Sequence, residues 1–179
     1  TILDWCHNLR DSEMAERAVD GLEESGIRAV FGHGTAKPPT VEGETPYTHV
    51  PHPRDRLEHL RNTRLSSDDG LVTLAMAITG PEFGAFDIVV QDLKLANELG
   101  LLSSAHVWHG FNKNLPPEEQ IKDAYYQLGE MGLLGPNHNI VHGCYLPEDQ
   151  IRYVVDQGCS VTSTVMCEMH GHGAFPLMW

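Results

Sequence analysis

Histidine side chains follow two apolar segments of the chain, at the points where those segments end. His106 and His109 end the run between residues 100 and 110, and His142 ends the run that starts at residue 139. Runs of this kind between helical patterns are typical of buried parallel strands. Because the carboxyl ends of such strands carry the chemistry of barrels and open sheets, these imidazoles are candidates for metal binding or acid–base catalysis. The alternative for each histidine is a hydrogen-bonded polar residue at the edge of the core.

His106 and His142 end two strands that a single crossover separates, so their imidazoles can converge on one ion. Imidazole suits zinc, iron or nickel. A catalytic zinc takes about three protein ligands and a water, so these two histidines form an incomplete site by themselves. His109 lies three residues beyond His106 and is predicted either to contact a substrate or relay a proton, or to be a solvated loop residue.

Other polar side chains come near the same predicted strand ends. His7 and Glu168 each lie just beyond a strand and are predicted to line the same pocket. His170 and His172 have the spacing of a metal-binding pair, but they lie on a glycine-rich tail without a scaffold, so no metal is expected there. The remaining histidines are predicted to be surface or loop residues: His33, His49, His52, His59 and His138.

Six strand-like segments alternate with helical patterns, and each segment except the last is followed by a helix. The strands are expected near residues 1–5, 27–31, 71–78, 101–106, 139–142 and 159–164, and the helices near 12–25, 54–65, 86–99, 116–131 and 147–157. This alternation predicts an α/β fold with a parallel sheet and right-handed crossovers. It leaves open a doubly wound sheet and a (β/α)8 barrel or a piece of one. The whole chain, residues 1–179, is expected to form one domain.

Prolines and glycines between residues 33 and 53 break this alternation and exclude regular structure over about twenty residues. A loop of that length in a compact domain is usually functional or mobile. It is predicted either to cover a substrate at the ligand-binding side of the sheet or to be a disordered loop on the surface.

Two motifs of other enzyme classes are incomplete in this sequence. Gly32 and Gly34 follow a strand, but Lys37 stands where a nucleotide-binding fingerprint needs its third glycine, and prolines follow where a helix should begin. No helix N-terminus is therefore aimed at a phosphate. The segment from Gly158 to Thr162 departs from a nucleophile elbow at its last position, and its serine lies at a strand start. Neither motif supports a nucleotide-binding or serine-hydrolase function.

The charge balance narrows the classes of partner. The chain has 12 basic and 25 acidic residues and a formal net charge of −13. This argues against nucleic acid or an anionic membrane as a partner, because both are bound through basic surfaces. No apolar run has the length of a membrane span, no signal peptide is visible, and the four cysteines are scattered as in proteins with reduced thiols. The composition indicates a cytoplasmic protein that acts on a small-molecule substrate.

Four segments of the chain overlap predicted strands: Thr1-Ile-Leu-Asp-Trp-Cys-His-Asn8, Ala105-His-Val-Trp108, Asn139-Ile-Val-His-Gly-Cys-Tyr-Leu146 and Gly158-Cys-Ser-Val-Thr162. In order and spacing, they resemble successive strand motifs of the amidohydrolase superfamily. Within that superfamily they resemble the cytosine deaminase and triazine (chloro)hydrolase branch. The resemblance runs over nearly the whole chain. It implies a (β/α)8 barrel of the TIM type, here an incomplete barrel of about six βα units that supplies the second to seventh strands.

The same resemblance implies a metal-dependent hydrolase of the deaminase or amidohydrolase type. In such an enzyme, metal-bound hydroxide attacks a C–N or C–Cl bond of a heterocyclic or amide-like small molecule. The expected cofactor is a divalent metal, zinc first and iron as the alternative. His106 matches the metal ligand of the family's fifth strand. His142 matches the sixth-strand histidine beside the metal-bound water or substrate, and is predicted both as a metal contact and as a catalytic residue.

His109 stands where many members of this branch carry a glutamate that protonates a ring nitrogen, and it is expected to shuttle a proton. Trp108 joins His7 and Glu168 as a predicted substrate contact. The family's first-strand His-x-His pair and eighth-strand aspartate have no counterpart in these 179 residues. This segment alone is therefore expected to be inactive.

Two further expectations concern assembly and an alternative function. A barrel without its first and eighth strands has two unpaired edges, and unpaired edges invite association, so a homo-oligomer is expected. The alternative to a hydrolase is a non-catalytic α/β module that binds a small molecule or acts as a scaffold and has lost its metal site.

Overall fold

The strands form one parallel sheet in a computed structural model that describes residues 1–177. Neighbours in the sheet follow the order β1-β2-β3-β4-β5-β6, which is the order of the chain. The strands are β1 (Ile2–Cys6), β2 (Ala29–Gly34), β3 (Val72–Ile78), β4 (Leu102–Val107), β5 (His138–His142) and β6 (Ser160–Thr162). A doubly wound sheet reverses its order partway, whereas a barrel does not. The fold is therefore the predicted incomplete (β/α)8 barrel.

Helices connect the strands, as the alternating pattern predicts. They are α1 (Ser12–Ser25), α2 (Arg54–Asn62), α3 (Gly80–Phe83), α4 (Phe86–Glu98), α5 (Ala124–Glu130), α6 (Glu148–Asp156) and α7 (Val165–Cys167). None of the helices within residues 1–177 combines the length and the apolar character that crossing a bilayer requires.

The ends of α1 follow from its sequence. The side chain of Asp11 accepts a hydrogen bond from the backbone N–H of Met14 at 2.8 Å, and Gly26 ends the helix with a φ of 66°. An N-cap of this kind contributes about 1 kcal/mol, and glycine adopts the left-handed conformation without steric cost. Between these caps, Ala15 and Val19 are buried. Ala18 and Leu22 pack against the core, whereas Met14 is 41% exposed.

The predicted helix from residue 116 begins later than its prolines suggest. Pro117–Glu119 form a 3₁₀ turn, Gln120 is extended, and α5 begins only at Ala124. The Gln120 side chain donates from Nε2 to the carbonyl of Leu115 at 2.8 Å, which closes this segment as a loop. This local hydrogen bond outweighs the helix-starting preference of proline.

The apolar core lies between the sheet and the helices. β3 is buried at six of its seven positions, so the most apolar run of the sequence is indeed a central strand. Large side chains that are fully buried come from strands and helices alike, among them Phe31, Leu57, Met76, Leu93 and Ile140. Each such side chain contributes about 1.5–3 kcal/mol when it leaves water.

The sheet curls strongly, as a barrel wall must. Trp5 on β1 donates from Nε1 to Oγ of Ser104 on β4 over 3.1 Å. Neighbouring strands lie about 4.8 Å apart, so a flat sheet would place β1 and β4 roughly 14 Å apart. A tryptophan side chain does not reach that far, so the sheet must bend to bring its first and fourth strands together.

Polar side chains line the concave side of this curl. The Ser104 hydroxyl donates to Oδ1 of Asn139 at 3.0 Å. Nδ2 of Asn139 then donates to the hydroxyls of Ser160 at 3.0 Å and Thr162 at 2.9 Å. The hydrogen-bonded layer thus joins β4, β5 and β6, and it satisfies polar groups that an apolar interior would leave unpaired.

Three of the histidines predicted to be surface or loop residues are buried: His33 and His138 lie in strands, and His52 lies in the loop after β2. His33, His52 and His138 are 0%, 6% and 2% exposed. Nδ1 of His33 lies 2.9 Å from Nε2 of His52, and Nδ1 of His138 lies 2.8 Å from the Ser103 hydroxyl. The Nδ1 partners of His33 and His138 are distant in sequence, whereas the Nε2 atoms of these two residues are buried without a hydrogen-bond partner among residues 1–177. His49 and His59 are exposed, as predicted.

The proline-rich loop after β2 packs against the helices that follow β3. The carbonyl of Thr48 accepts from the backbone N–H of Ala85 at 2.8 Å, and the backbone N–H of His52 donates to Oδ1 of Asp92 at 2.9 Å. Earlier in the loop, Lys37 lies over the rings of Phe83 and Trp5. Lys37 therefore brings part of this loop to the carboxyl ends of β1 and β3.

Burial of His138 predicts an acid-sensitive fold. Burial lowers the pKa of His138 to about 4, so the folded chain keeps this ring neutral where the unfolded chain takes up a proton. The stability it contributes is therefore complete above about pH 6.5 and is lost as the pH falls towards 4. The free energy of unfolding of the parent chain should fall between about pH 7 and pH 5. In His138→Gln this fall should be smaller by about 2 kcal/mol.

Urea unfolding followed by circular dichroism at the two pH values measures this difference. His170→Gln is the matched control, because His170 is exposed and should leave the pH dependence unchanged. Equal pH dependence in His138→Gln and the parent chain would contradict the prediction.

Candidate active site

Imidazole and indole rings meet at the carboxyl ends of β4 and β5. The ring centroids of His106 and His142 lie 5.4 Å apart. Trp108 stacks on His142 at 5.3 Å, and Trp5 meets the ring of His106 edge-on at 4.1 Å. The expected approach of His106 and His142 is therefore present in the structure. We call these four residues the ring cluster.

An unusual backbone conformation brings His142 into this cluster. In the register of β4 and β5, His106 lies opposite Val141, and His142 lies opposite Val107. A regular pleat would thus place His106 and His142 on opposite faces of the sheet. His142 has a φ of 78°, the sole positive φ at a non-glycine position among residues 1–177. This left-handed conformation, in which side chains are strained, turns the imidazole towards His106.

Glu168 and Thr164 hold the imidazole of His142 from behind. Nδ1 of His142 lies 3.2 Å from Oε1 of Glu168 and 2.9 Å from the Thr164 hydroxyl. A carboxylate only accepts hydrogen bonds, so we assign the proton to Nδ1. The lone pair of His142 is then on Nε2, the tautomer that a metal ligand or a base requires.

The carboxylate of Glu168 is fully buried, and protein groups donate hydrogen bonds to it. It accepts from the Ser163 hydroxyl at 2.7 Å and from the backbone N–H of Thr164 at 2.8 Å. Burial raises the pKa of Glu168, but the hydrogen bonds from Ser163, Thr164 and His142 outweigh it and hold the pKa below its usual value. Glu168 is therefore an anion that supports His142. Its predicted contact with a substrate stays a prediction.

His106 is held neutral by its surroundings. Burial, the largest cause, together with the nearby imidazoles and the Lys37 ammonium, lowers its pKa to about 4. A neutral imidazole keeps the lone pair that binds a metal ion. The geometry thus suits the predicted ligand role of His106.

The loop after β4 is fixed by Glu82, a residue that the sequence patterns did not single out. Its carboxylate Oε2 accepts three backbone N–H groups, those of Trp108 at 3.2 Å, His109 at 2.9 Å and Gly110 at 2.9 Å. Glu82 is 7% exposed. The available signal was an acidic side chain directly after the buried strand β3, where the carboxyl ends of the strands meet.

The other predicted site residues lie around the ring cluster. His109 stacks on Tyr145 with ring centroids 4.9 Å apart, and its Nδ1 lies 3.4 Å from Oε1 of Glu82. His7 is exposed, and its ring centroid is 5.8 Å from that of Trp5. The proton-shuttle role of His109 and the substrate contacts of His7 and Trp108 stay predictions.

The glycine-rich tail is more ordered than its sequence suggests. A π-helical turn over Glu168–His172 places the ring of His172 5.1 Å from His142 and 4.9 Å from Trp108. The Tyr145 hydroxyl donates to the carbonyl of His172. The expectation that this tail lacks a scaffold is therefore wrong for His172, whereas His170 is exposed.

The ring cluster carries only part of a metal-ligand set. Within residues 1–177, no group of three or more His, Cys, Asp or Glu side chains is arranged to hold a metal ion. His106 and His142 do fit the chemistry of metal ligands, because His106 is neutral and Glu168 fixes the tautomer of His142. A catalytic zinc takes about three protein ligands, so these two histidines supply an incomplete set.

Comparison with known proteins identifies the fold. No protein-family model and no curated protein matches the chain. Solved structures do match it. A variant of atrazine chlorohydrolase TrzN from Arthrobacter aurescens, complexed with zinc and atraton, has a TM-score of 0.67 and 15% identity over 96% of this chain and 39% of its own. An adenosine deaminase from Xanthomonas campestris with bound zinc has a TM-score of 0.65 and 18% identity over 98% of this chain and 38% of its own.

These comparisons define the class of fold to which the chain belongs. Both neighbours are members of the amidohydrolase superfamily, and the resemblance predicted from the four strand motifs is confirmed at the level of the fold. A triazine hydrolase from Arthrobacter matches with a TM-score of 0.64 and 15% identity over 97% of this chain. The chain spans less than half the length of these structures, 38–39% of each.

The three hydrogen bonds to Glu82 predict a large effect of its removal. We expect Glu82→Ala to lower the free energy of unfolding by about 2–4 kcal/mol, since it leaves one buried and two part-buried N–H groups without this acceptor. Glu82→Gln keeps a carbonyl acceptor and should cost clearly less. Urea unfolding gives the free energies, and hydrogen exchange of the amides of residues 108–110 locates the effect.

Glu130→Ala is the control for this experiment, because Glu130 is exposed on α5. If the amides of residues 108–110 exchanged no faster in Glu82→Ala than in Glu130→Ala, Glu82 would not fix this loop.

Proposed function

We propose that this chain carries part of the machinery of a metal-dependent hydrolase of the amidohydrolase type. Its substrate would be a heterocyclic or amide-like small molecule, attacked at a C–N or C–Cl bond. The observation that carries the proposal is the 5.4 Å approach of the His106 and His142 rings at the strand ends. The neighbouring structures support it, because their fold is the same and they contain zinc.

His106 would hold a divalent metal, zinc first and iron as the alternative, and His142 would lie beside it. His106 is held neutral by its surroundings, and the hydrogen bond from Nδ1 of His142 to Glu168 directs Nε2 of His142 away from that carboxylate. When bound, such a metal lowers the pKa of a water to about 7 and so supplies hydroxide. A complete set of about three protein ligands requires donors beyond these two histidines.

The His142–Glu168 pair would position and stabilise charge during the reaction. Glu168 is anionic and buried against His142. The proton on Nδ1 therefore stays between the two side chains, and an imidazolium that forms when Nε2 takes up a proton is stabilised by the carboxylate. His142 can thus accept a proton near the reacting carbon and return it to the leaving group.

The indole rings would select and orient a flat substrate. Trp5 and Trp108 flank the two histidines and are partly exposed. Aromatic faces bind planar heterocycles by offset stacking, worth about 0.5–1.5 kcal/mol per pair beyond area burial. Stacking also excludes water from the imidazoles. His109, at the rim beside Tyr145, would relay protons to solvent.

Metal content and hydrolysis test this proposal in the full-length protein. His106→Ala is expected to reduce bound zinc from about one equivalent to less than about a tenth, because a ligand is lost. His142→Ala should lower kcat/KM by about 10²–10⁴, the usual contribution of a general base or acid. Elemental analysis measures the metal, and release of product from atraton and adenosine measures hydrolysis.

His170→Ala is the control, since this exposed histidine lies outside the ring cluster. A protein without bound zinc or iron that still binds atraton would contradict the proposal. That result would favour the non-catalytic binding module, a reading that the incomplete ligand set within residues 1–177 also suits.

We also propose that the 179-residue chain forms a homo-oligomer through its sheet edges. β1 is an edge strand of the sheet over residues 1–177, and its Ile2 and Leu3 are 41% and 36% exposed. Unpaired strand edges with apolar side chains invite pairing, and a lysine on the edge suppresses it. Light scattering should show a dimer or larger species that Leu3→Lys weakens and Met14→Lys, on α1, does not. A monomer at all concentrations would refute this assembly.

A further inference from the structure

A lysine without an acidic partner lies beside the ring cluster. Lys37, on the loop after β2, places its ammonium 4.1 Å from the ring centroid of Phe83 and 5.6 Å from that of Trp5. Among residues 1–177, no carboxylate forms an ion pair with it, whereas Arg54, Arg61 and Arg64 all have carboxylate partners. The side chain is half-buried, so its charge has lost part of its hydration.

Lys37 is also part of the wall of a large cleft. The cleft has a volume of about 700 Å³ and is lined by Asn8, Arg10, Met14, Ala36, Lys37, Pro38 and Pro39. Two of these side chains are cations and none is a carboxylate. In a chain with a net charge of −13, a cleft with this lining is electrostatically distinct from the rest of the molecule.

The cleft is connected to the ring cluster through Trp5. Lys37 lies 5.6 Å from the Trp5 ring, and Trp5 lies 4.1 Å from the ring of His106. A planar ligand that contacts Trp5 beside His106 could therefore reach the Lys37 ammonium with a group attached to its ring. The distance fits a single ligand that spans both places.

We propose that Lys37, with Arg10 nearby, forms a subsite for a carboxylate group carried by a heterocyclic ligand. This inference rests on the proposed function for the position of the ring, and it adds the charge of the substrate. Aromatic faces attract a cation but do not neutralise it. A carboxylate would supply the charge-assisted hydrogen bonds that the half-buried ammonium lacks.

Binding of a charged and an uncharged pyrimidine tests the subsite without any turnover. Orotate carries a ring carboxylate, and uracil is the same ring without it. Equilibrium dialysis of the full chain, without added metal, should show orotate bound about tenfold more tightly than uracil. Lys37→Gln should remove this preference, and Lys37→Arg should keep most of it because the cation remains.

The location of binding is measured separately. The chain has four lysines, so reductive methylation with ¹³C-formaldehyde gives few methyl signals, and the Lys37→Gln variant identifies the one from Lys37. Orotate should shift this signal, and uracil should not. Lys113→Gln is the matched control and should leave orotate binding unchanged.

The outcomes separate this inference from the proposed function. Equal binding of orotate and uracil, unchanged orotate binding in Lys37→Gln, or no orotate binding at about 10 mM would each overturn the subsite. Because neither measurement depends on metal or hydrolysis, a protein without zinc or activity would refute the proposed function and leave the subsite standing.

Discussion

The curvature of the parallel sheet is the constraint on which the rest of the structure depends. The bond from Trp5 to Ser104 exists only because the first and fourth strands bend towards each other. On the concave side of this bend, hydroxyl and amide groups of β4, β5 and β6 bond to one another. Trp5 therefore serves both as part of the wall and as the neighbour of His106.

At the strand ends, the histidines are positioned by two buried glutamate side chains as well as by the strands themselves. Glu168 holds the ring of His142, and Glu82 holds the backbone that follows His106. Both carboxylates are buried and come from elements outside β4 and β5. Such supporting groups determine the tautomer and direction of a ligand as much as the ligand's own strand does. The two acidic side chains thus convert strand ends into a defined arrangement of imidazoles.

Much of the fold could be predicted from local patterns. Apolar runs such as β3, the Asp11 cap and the glycine after α1 act over a few residues, so the sequence displays them directly. The alternation of strands and helices predicted a parallel sheet, but it left open a doubly wound sheet and a barrel. Only the resemblance of the strand motifs to the amidohydrolase superfamily favoured the barrel. The approach of His106 and His142 was predicted for the wrong local reason, since regular alternation would separate them and the positive φ of His142 reunites them.

What could not be predicted depends on contacts between residues distant in sequence. Nothing near Glu82 shows that three amides of the next β–α loop will bind it. His33 and His138 lie in strands with partners that only the tertiary structure supplies. His172 likewise needed the hydroxyl of Tyr145 to become part of a fixed turn.

Two hydrogen bonds hold the far end of the loop after β2. One joins Ala85 to Thr48, and the other joins His52 to Asp92. Any opening must therefore take place in the stretch before residue 47, which includes Lys37. The cation would travel with that stretch, so the local electric field at the imidazoles would change whenever the loop shifts.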